Sequence, residues 1–93
     1  MREFELAVPK GDVVEAVEAQ ATSLGLAWMR SSLKKYPDST HWHFVMPDKA
    51  GTLEATWWPA KNRLWLSVHE NRQAEWQEPA IRALEAWSNG VSE

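Results

Sequence analysis

Two histidines separated by one residue, His41 and His43, are the feature of this sequence that most suggests chemistry. Alternate residues of a β-strand project from the same face, so both imidazoles would lie on one side with Cα atoms roughly 6.6 Å apart. Zinc enzymes use this arrangement, and Glu54 on the next strand could supply a third ligand. His69 is expected not to join, because strand geometry places it roughly 11–12 Å from His43. Histidines on a solvated surface are the competing interpretation.

A hydrolase is a second hypothesis for the same region. Ser67, Glu54 and His43 would fall in one cross-strand row, but a nucleophilic triad needs histidine between serine and carboxylate. Glutamate occupies the middle here, so the row predicts a structural hydrogen-bonded ladder, and only a His43–Glu54 acid–base pair is left as a catalytic candidate. The sequence contains no phosphate-binding glycine loop, no HExxH and no calcium loop. We therefore expect no catalytic machinery and no cofactor.

Three consecutive antiparallel strands between residues 41 and 69 would position these side chains. Apolar and polar residues alternate along each strand, which is the period of a sheet with one dry face. Turn residues separate the strands at 47–51 and 59–62. If Trp58 lies opposite Arg63, the apolar residues of the second and third strands face one another. An even number of residues in the first loop would likewise place His43 opposite Glu54.

The flanking segments supply one more strand and a helix on the N-terminal side. Residues 3–8 alternate as a strand with one wet face. Asp12 and Glu15 have the spacing of a capping box, which predicts the start of a helix, and Gly25 is placed to end it.

The segment from Leu26 to Lys35 has competing apolar phases. We favour a strand that buries Ala27, Met29 and Leu33. This phase leaves four side chains on the open side: Trp28, Arg30, Ser32 and Lys34. Residues 36–40 are predicted to be a turn that leads into the central strands.

A second helical pattern runs from Arg72 to Ser88 and is predicted to stop at Asn89-Gly90. Pro79 must either kink this helix or open a second one at its first position. Trp76 and Trp87 fall on the apolar flank and are predicted to anchor the core.

The resulting element order, β-α-β-β-β-β-α, predicts an α+β fold in two layers: a curved antiparallel five-stranded sheet with two helices on one face. The first helix must carry the chain from one sheet edge to the other, because short hairpins join the later four strands. This order is similar to the topology of the TATA-binding-protein-like half-domain, a curved sheet with helices on its convex side. The similarity concerns topology alone and implies no function.

Composition narrows the class of protein. Ninety-three residues are expected to form a single domain, 1–93. The absence of cysteine excludes disulfides and thiolate catalysis. A net charge of −3 argues against nucleic-acid or anionic-membrane binding. Neither a signal peptide nor an apolar run of bilayer length is evident, so we expect a cytoplasmic protein without a membrane partner.

Seven tryptophans are a large number for so small a core. The predicted open face carries several aromatic, basic and polar side chains: Trp58, Trp65, His43, Glu54 and Arg63, with His41, Ser67 and His69 at the rim. Trp58 beside Arg63 would form a stacking platform with an adjacent cation. We therefore predict a non-catalytic binding module that uses this face for self-association, for a small ligand or for a protein. The alternatives are a metal-dependent enzyme at His41, His43 and Glu54, and binding of single-stranded nucleic acid.

Overall fold

The computed structural model describes residues 1–91 and confirms the α+β class, with a five-stranded antiparallel sheet and two helices. The strands are β1 (Arg2–Leu6), β2 (Ala27–Leu33), β3 (Tyr36–Val45), β4 (Leu53–Trp58) and β5 (Arg63–Val68). The helices are α1 (Val13–Ser23) and α2 (Gln77–Val91), and short 3-10 turns occupy Pro59–Lys61 and Glu70–Arg72. Within residues 1–91, the helices are too short or too polar to cross a membrane.

The strand order in the sheet is β1-β5-β4-β3-β2. Because β1 and β2 form opposite edges, α1 carries the chain from one edge to the other, as predicted. The register of the central strands is confirmed as well: Trp58 opposes Arg63, and His43 opposes Glu54. The sheet therefore has the alternation of faces that the sequence indicates.

One face of the sheet packs against both helices and forms the core. Strand residues at alternate positions are fully buried there, namely Trp42, Phe44, Leu53, Leu64 and Leu66. They meet the apolar sides of the helices, which include Val17, Ala21, Ile81 and Leu84. Trp76 is buried and Trp87 packs against the same cluster, so both act as the predicted core anchors.

The predicted caps of α1 are confirmed. A carboxylate oxygen of Asp12 accepts a hydrogen bond from the backbone N–H of Glu15 at 3.0 Å. Gly25 follows the helix with φ +79°, a left-handed conformation that glycine adopts without a steric penalty.

Helix α2 differs from its predicted bounds at both ends. It begins at Gln77 instead of Arg72, and Pro79 lies in its first turn, where the missing N–H needs no helical partner. The predicted stop at Asn89-Gly90 is wrong, because the helix continues to Val91. Asparagine and glycine lower helix propensity without preventing helical geometry.

The predicted phase of β2 is wrong. Trp28 pairs with Phe44 and Arg30 pairs with Trp42, so Trp28 and Arg30 lie on the helix-covered face. Met29 instead is 75% exposed on the opposite face. The predicted burial of Ala27, Met29 and Leu33 on the core face is therefore reversed. Tertiary contacts set this phase: Arg30 forms an ion pair with Glu18 of α1, and the Trp28 indole N–H donates to Thr22 of α1.

The predicted turn at residues 36–40 is also wrong, since these residues belong to β3. A two-residue turn at 34–35 joins β2 to β3, and the register between the two strands shifts beyond Ser31. Asp38 adopts φ +64° within this bulged stretch, a left-handed conformation that aspartate tolerates better than most residues. The bulge places the Tyr36 ring against Trp58 and Trp65, at centroid distances of 4.8 and 5.2 Å.

Candidate metal site on the open sheet face

The open face, meaning the sheet surface opposite the helices, is centred on Glu54 of β4. Its side chain is 14% exposed and contacts all three histidines of the chain. His41 and His43 approach from β3, and His69 approaches from the end of β5. A largely buried carboxylate surrounded by imidazoles is the most concentrated group of titratable side chains on this face.

His41 is buried and held at both ring nitrogens. Its Nδ1 lies 2.8 Å from Oγ1 of Thr56, and its Nε2 lies 2.9 Å from Oε1 of Glu54. In the neutral ring, Nε2–H donates to the carboxylate and Nδ1 accepts from the threonine hydroxyl. Burial lowers the pKa of His41, against the opposing effect of its hydrogen bond to Glu54. The neutral imidazole favoured by this shift is also the form that binds metals.

His43 lies on the more solvated side of the cluster. Its Nε2 is 3.7 Å from Oε1 of Glu54, and its ring stands edge-on to the His41 ring at a centroid distance of 4.9 Å. About half of the side chain is exposed. His43 can therefore move toward or away from an ion without disturbing the core.

His69 stays outside the close group of candidate ligands formed by His41, His43 and Glu54, as predicted. Its Nε2 nevertheless lies 2.9 Å from Oε2 of Glu54, a contact that the sequence does not predict. Glu54 lies on the strand between His43 and His69 and is within reach of both. Glu54 is thus contacted on one oxygen from β3 and on the other from β5.

The predicted ligand atoms of His41, His43 and Glu54 all lie within 4.8 Å of one another. Zinc–ligand bonds of about 2.0–2.1 Å separate tetrahedral ligands by about 3.3 Å. Small side-chain movements would therefore bring these three atoms to coordination distance. Among residues 1–91, this is the group of three metal-ligating side chains that meets the distance requirement.

Two cavities meet at Glu54 and His69. The outer cavity has a volume of about 350 Å³ and is lined by His43, Thr52, Glu54, His69, Asn71 and Arg72. The second cavity has about 170 Å³ and is lined by Tyr36 and Trp65, together with His41, Thr56 and Ser67. The Glu54 carboxylate therefore borders both cavities.

The aromatic side chains of this face cover one another. Trp65 is only 3% exposed, because the Tyr36 ring packs edge-on against it and the Arg63 guanidinium lies 4.2 Å from its ring centroid. Arg63 also forms an ion pair with Glu5 of β1. Trp58 is half-buried, and its indole N–H has no hydrogen-bond partner within residues 1–91. The stacking platform expected from sequence therefore offers little free ring surface.

The remaining site residues predicted from sequence are present on the open face but are largely enclosed. His41 and Ser67 are buried there by neighbouring side chains, not by a helix. Ser67 lies opposite Glu54 in the predicted register. Sequence reasoning missed Tyr36, which a bulge redirects, and Arg72, which was placed in a helix. The proline and aspartate at 37 and 38 were the available signal of irregular backbone.

Comparisons with protein-family models, with curated proteins and with solved structures find no match to this chain. The geometry of the open face is therefore the basis for any functional assignment.

Proposed function

We propose that this chain is a binding module whose open sheet face holds a divalent transition-metal ion, with His41, His43 and Glu54 as ligands. The observation that supports this most directly is the largely buried Glu54 carboxylate in contact with three imidazoles. The proposal keeps the binding role and the face predicted from sequence. It replaces indole stacking by metal coordination, because the Trp65 ring is covered.

The ligand set suits ions that accept nitrogen and oxygen donors, of which zinc is the simplest case. Three protein ligands leave one tetrahedral position for water or another ligand. Of the three side chains, His43 and Glu54 line the outer cavity, so this fourth position would face it.

Two further residues would orient the ligands. With an ion on Nε2 of His41, the Nδ1–H of that ring would donate to Thr56, which fixes the tautomer. His69 holds the second oxygen of Glu54 and so limits rotation of the carboxylate. Partners of this kind are typical of metal sites in proteins.

A structural ladder of hydrogen bonds around Glu54 is the competing account, and metal titration separates the two. Protein without a histidine tag is stripped with a chelating resin and titrated with Zn²⁺ by calorimetry and with Co²⁺ by visible absorption. We expect one ion per chain and the absorption of four-coordinate cobalt.

Variants then locate the ion. The chain has three histidines and no cysteine, so a tight transition-metal site away from this cluster would lack both imidazole and thiolate ligands. His43→Ala and Glu54→Gln should each abolish or greatly weaken binding, whereas Glu75→Gln removes the same charge at an exposed position and should not. Stripped protein that takes up no ion, or equal uptake by His43→Ala, would exclude this function.

A further inference from the structure

The outer cavity contains polar groups that the three metal ligands do not use. Asn71 and Arg72 form its rim on the side of the 3-10 turn, facing a wall that includes His43 and Glu54. No carboxylate of residues 1–91 forms an ion pair with the Arg72 guanidinium. An unpaired guanidinium beside a cavity is a donor for a planar or tetrahedral oxyanion.

The rim is held in place by partly buried hydrogen bonds. The Gln77 amide N–H groups donate to the carbonyls of Thr52 and Arg72 at 2.8 and 2.7 Å, and its amide oxygen accepts from the N–H of Ala74 at 2.9 Å. Thr52 N–H also donates to the Arg72 carbonyl at 3.2 Å. These bonds involve the backbone carbonyl of Arg72, and the Arg72 side chain lines the cavity.

Close packing reinforces this geometry at Gly51. Its φ is +97°, and a Cβ atom there would lie 2.7 Å from Cβ of Ala74 and 3.0 Å from the Arg72 carbonyl oxygen. The 3-10 turn and the loop before β4 therefore touch at a point that accommodates only glycine. The distance between the rim and Glu54 is consequently set by the fold.

Charge decides which ligand the cavity favours. Without a metal, the negative Glu54 carboxylate opposes anion binding beside it. A divalent cation on His41, His43 and Glu54 reverses the sign, because it exceeds the carboxylate charge by one unit, and Arg72 adds a further positive charge. The neighbouring Glu70 carboxylate lies near the N-terminal amino group, at 3.8 Å, which offsets its charge.

From this arrangement we infer that the outer cavity binds an oxyanion, the phosphate or carboxylate group of a small molecule, between the open position of the metal and the Arg72 guanidinium. Asn71 supplies an amide donor at the same rim. The cavity volume of about 350 Å³ accommodates a small metabolite-sized ligand. This inference rests on the proposed metal site.

The test uses cobalt-loaded full-length chain, with inorganic phosphate and acetate as separate probes. Each anion should change the visible absorption of Co²⁺ saturably, and phosphate should show a ³¹P signal broadened by the paramagnetic ion. Arg72→Gln should weaken anion binding by about tenfold or more, because a charge-assisted contact is lost, while cobalt affinity stays the same. Arg82→Gln, which removes the same charge from an exposed position on α2, serves as the matched control.

The two proposals fail in different ways. If cobalt binds but neither anion alters its spectrum, or if Arg72→Gln binds anions as well as the unsubstituted chain, the oxyanion inference is wrong and the metal site stands. If cobalt does not bind, both are wrong. A response to one anion alone identifies which oxyanion class the cavity accepts and supports the inference.

Discussion

The Nε2 atom of His69 lies 2.9 Å from Oε2 of Glu54, while Nε2 of His41 lies 2.9 Å from Oε1 of the same carboxylate. Two imidazoles from opposite neighbouring strands thus fix both oxygens of one side chain. A carboxylate whose two oxygens are both hydrogen-bonded needs little reorganisation when it binds an ion. This fixed orientation suits Glu54 to the role of a metal ligand better than to that of a solvated surface group.

Replacing His69 should weaken metal binding without abolishing it. In our assignment His69 positions Glu54 and does not coordinate the ion, so His69→Ala should lower zinc affinity by about 10- to 100-fold. Calorimetry should still show one ion per chain. His43→Ala, which removes a ligand, provides the comparison and should have the larger effect. Equal losses in both variants would mean that His69 is itself a ligand, and no loss would remove its positioning role.

Acid should weaken the contact between α1 and the sheet. Hydrogen bonds from Arg30, at 2.6 and 2.7 Å, and then from the Trp42 indole N–H, at 2.9 Å, lower the pKa of Glu18 below its ordinary value of 4.5, although burial opposes the shift. The ionised carboxylate therefore contributes stability at all pH values above 4.5. This contribution is lost as the pH falls through the lower pKa of the folded state.

Urea denaturation as a function of pH measures this effect. Glu18→Gln should have a lower free energy of unfolding than the unsubstituted chain at neutral pH, and the difference should shrink in acid as Glu18 of the unsubstituted chain becomes protonated. Glu15→Gln changes the same charge on the same helix away from Arg30 and controls for helix electrostatics. A difference between the Glu18 variant and the unsubstituted chain that stays constant with pH would contradict the assignment.

Trp65 should contribute to stability more than to recognition. Its ring is buried beneath Tyr36 and Arg63, so Trp65→Ala should lower the free energy of unfolding by roughly 3–5 kcal/mol, as is typical of buried aromatic residues. Met29→Ala on the same face is a control, since that side chain is 75% exposed and should change stability by no more than about 0.5 kcal/mol. Chemical denaturation followed by circular dichroism measures both.

The Trp65 result also decides between two interpretations of the tryptophans. The sequence alone predicts that a Trp58→Ala, Trp65→Ala double variant folds normally and loses association with a partner. The packing of Tyr36 against both rings instead predicts a loss of stability. A stable double variant would restore the stacking interpretation.

Strict alternation made the central strands predictable from sequence. Along β5, Leu64 and Leu66 face the core and Trp65 faces away from it, and a slip of one residue against β4 would mix the two faces. The cap at Asp12 was equally predictable, because it depends on local hydrogen bonding within four residues. Features that depend on local hydrogen bonds or on the alternation of residues can therefore be predicted from the sequence alone.

The features that were missed depend on tertiary contacts or on irregular backbone. Trp28 and Met29 are both apolar, so period alone could not choose between them, and the contact of Arg30 with Glu18 settled the phase of β2. The bulge at Asp38 occurs without glycine and altered the direction of Tyr36. His69 reaches Glu54 through its side chain, which a comparison of Cα positions does not capture.

Because of the order of strands, the proposed metal ligands should stay together during local unfolding. Glu54 lies on β4, the middle strand, whose backbone is hydrogen-bonded by β3 on one side and by β5 on the other. Edge strands such as β2 open first, so amide protons near Met29 should exchange with deuterium early, and those of β4 only near global unfolding. Fraying at the borders of the sheet would therefore leave the carboxylate and its histidines assembled.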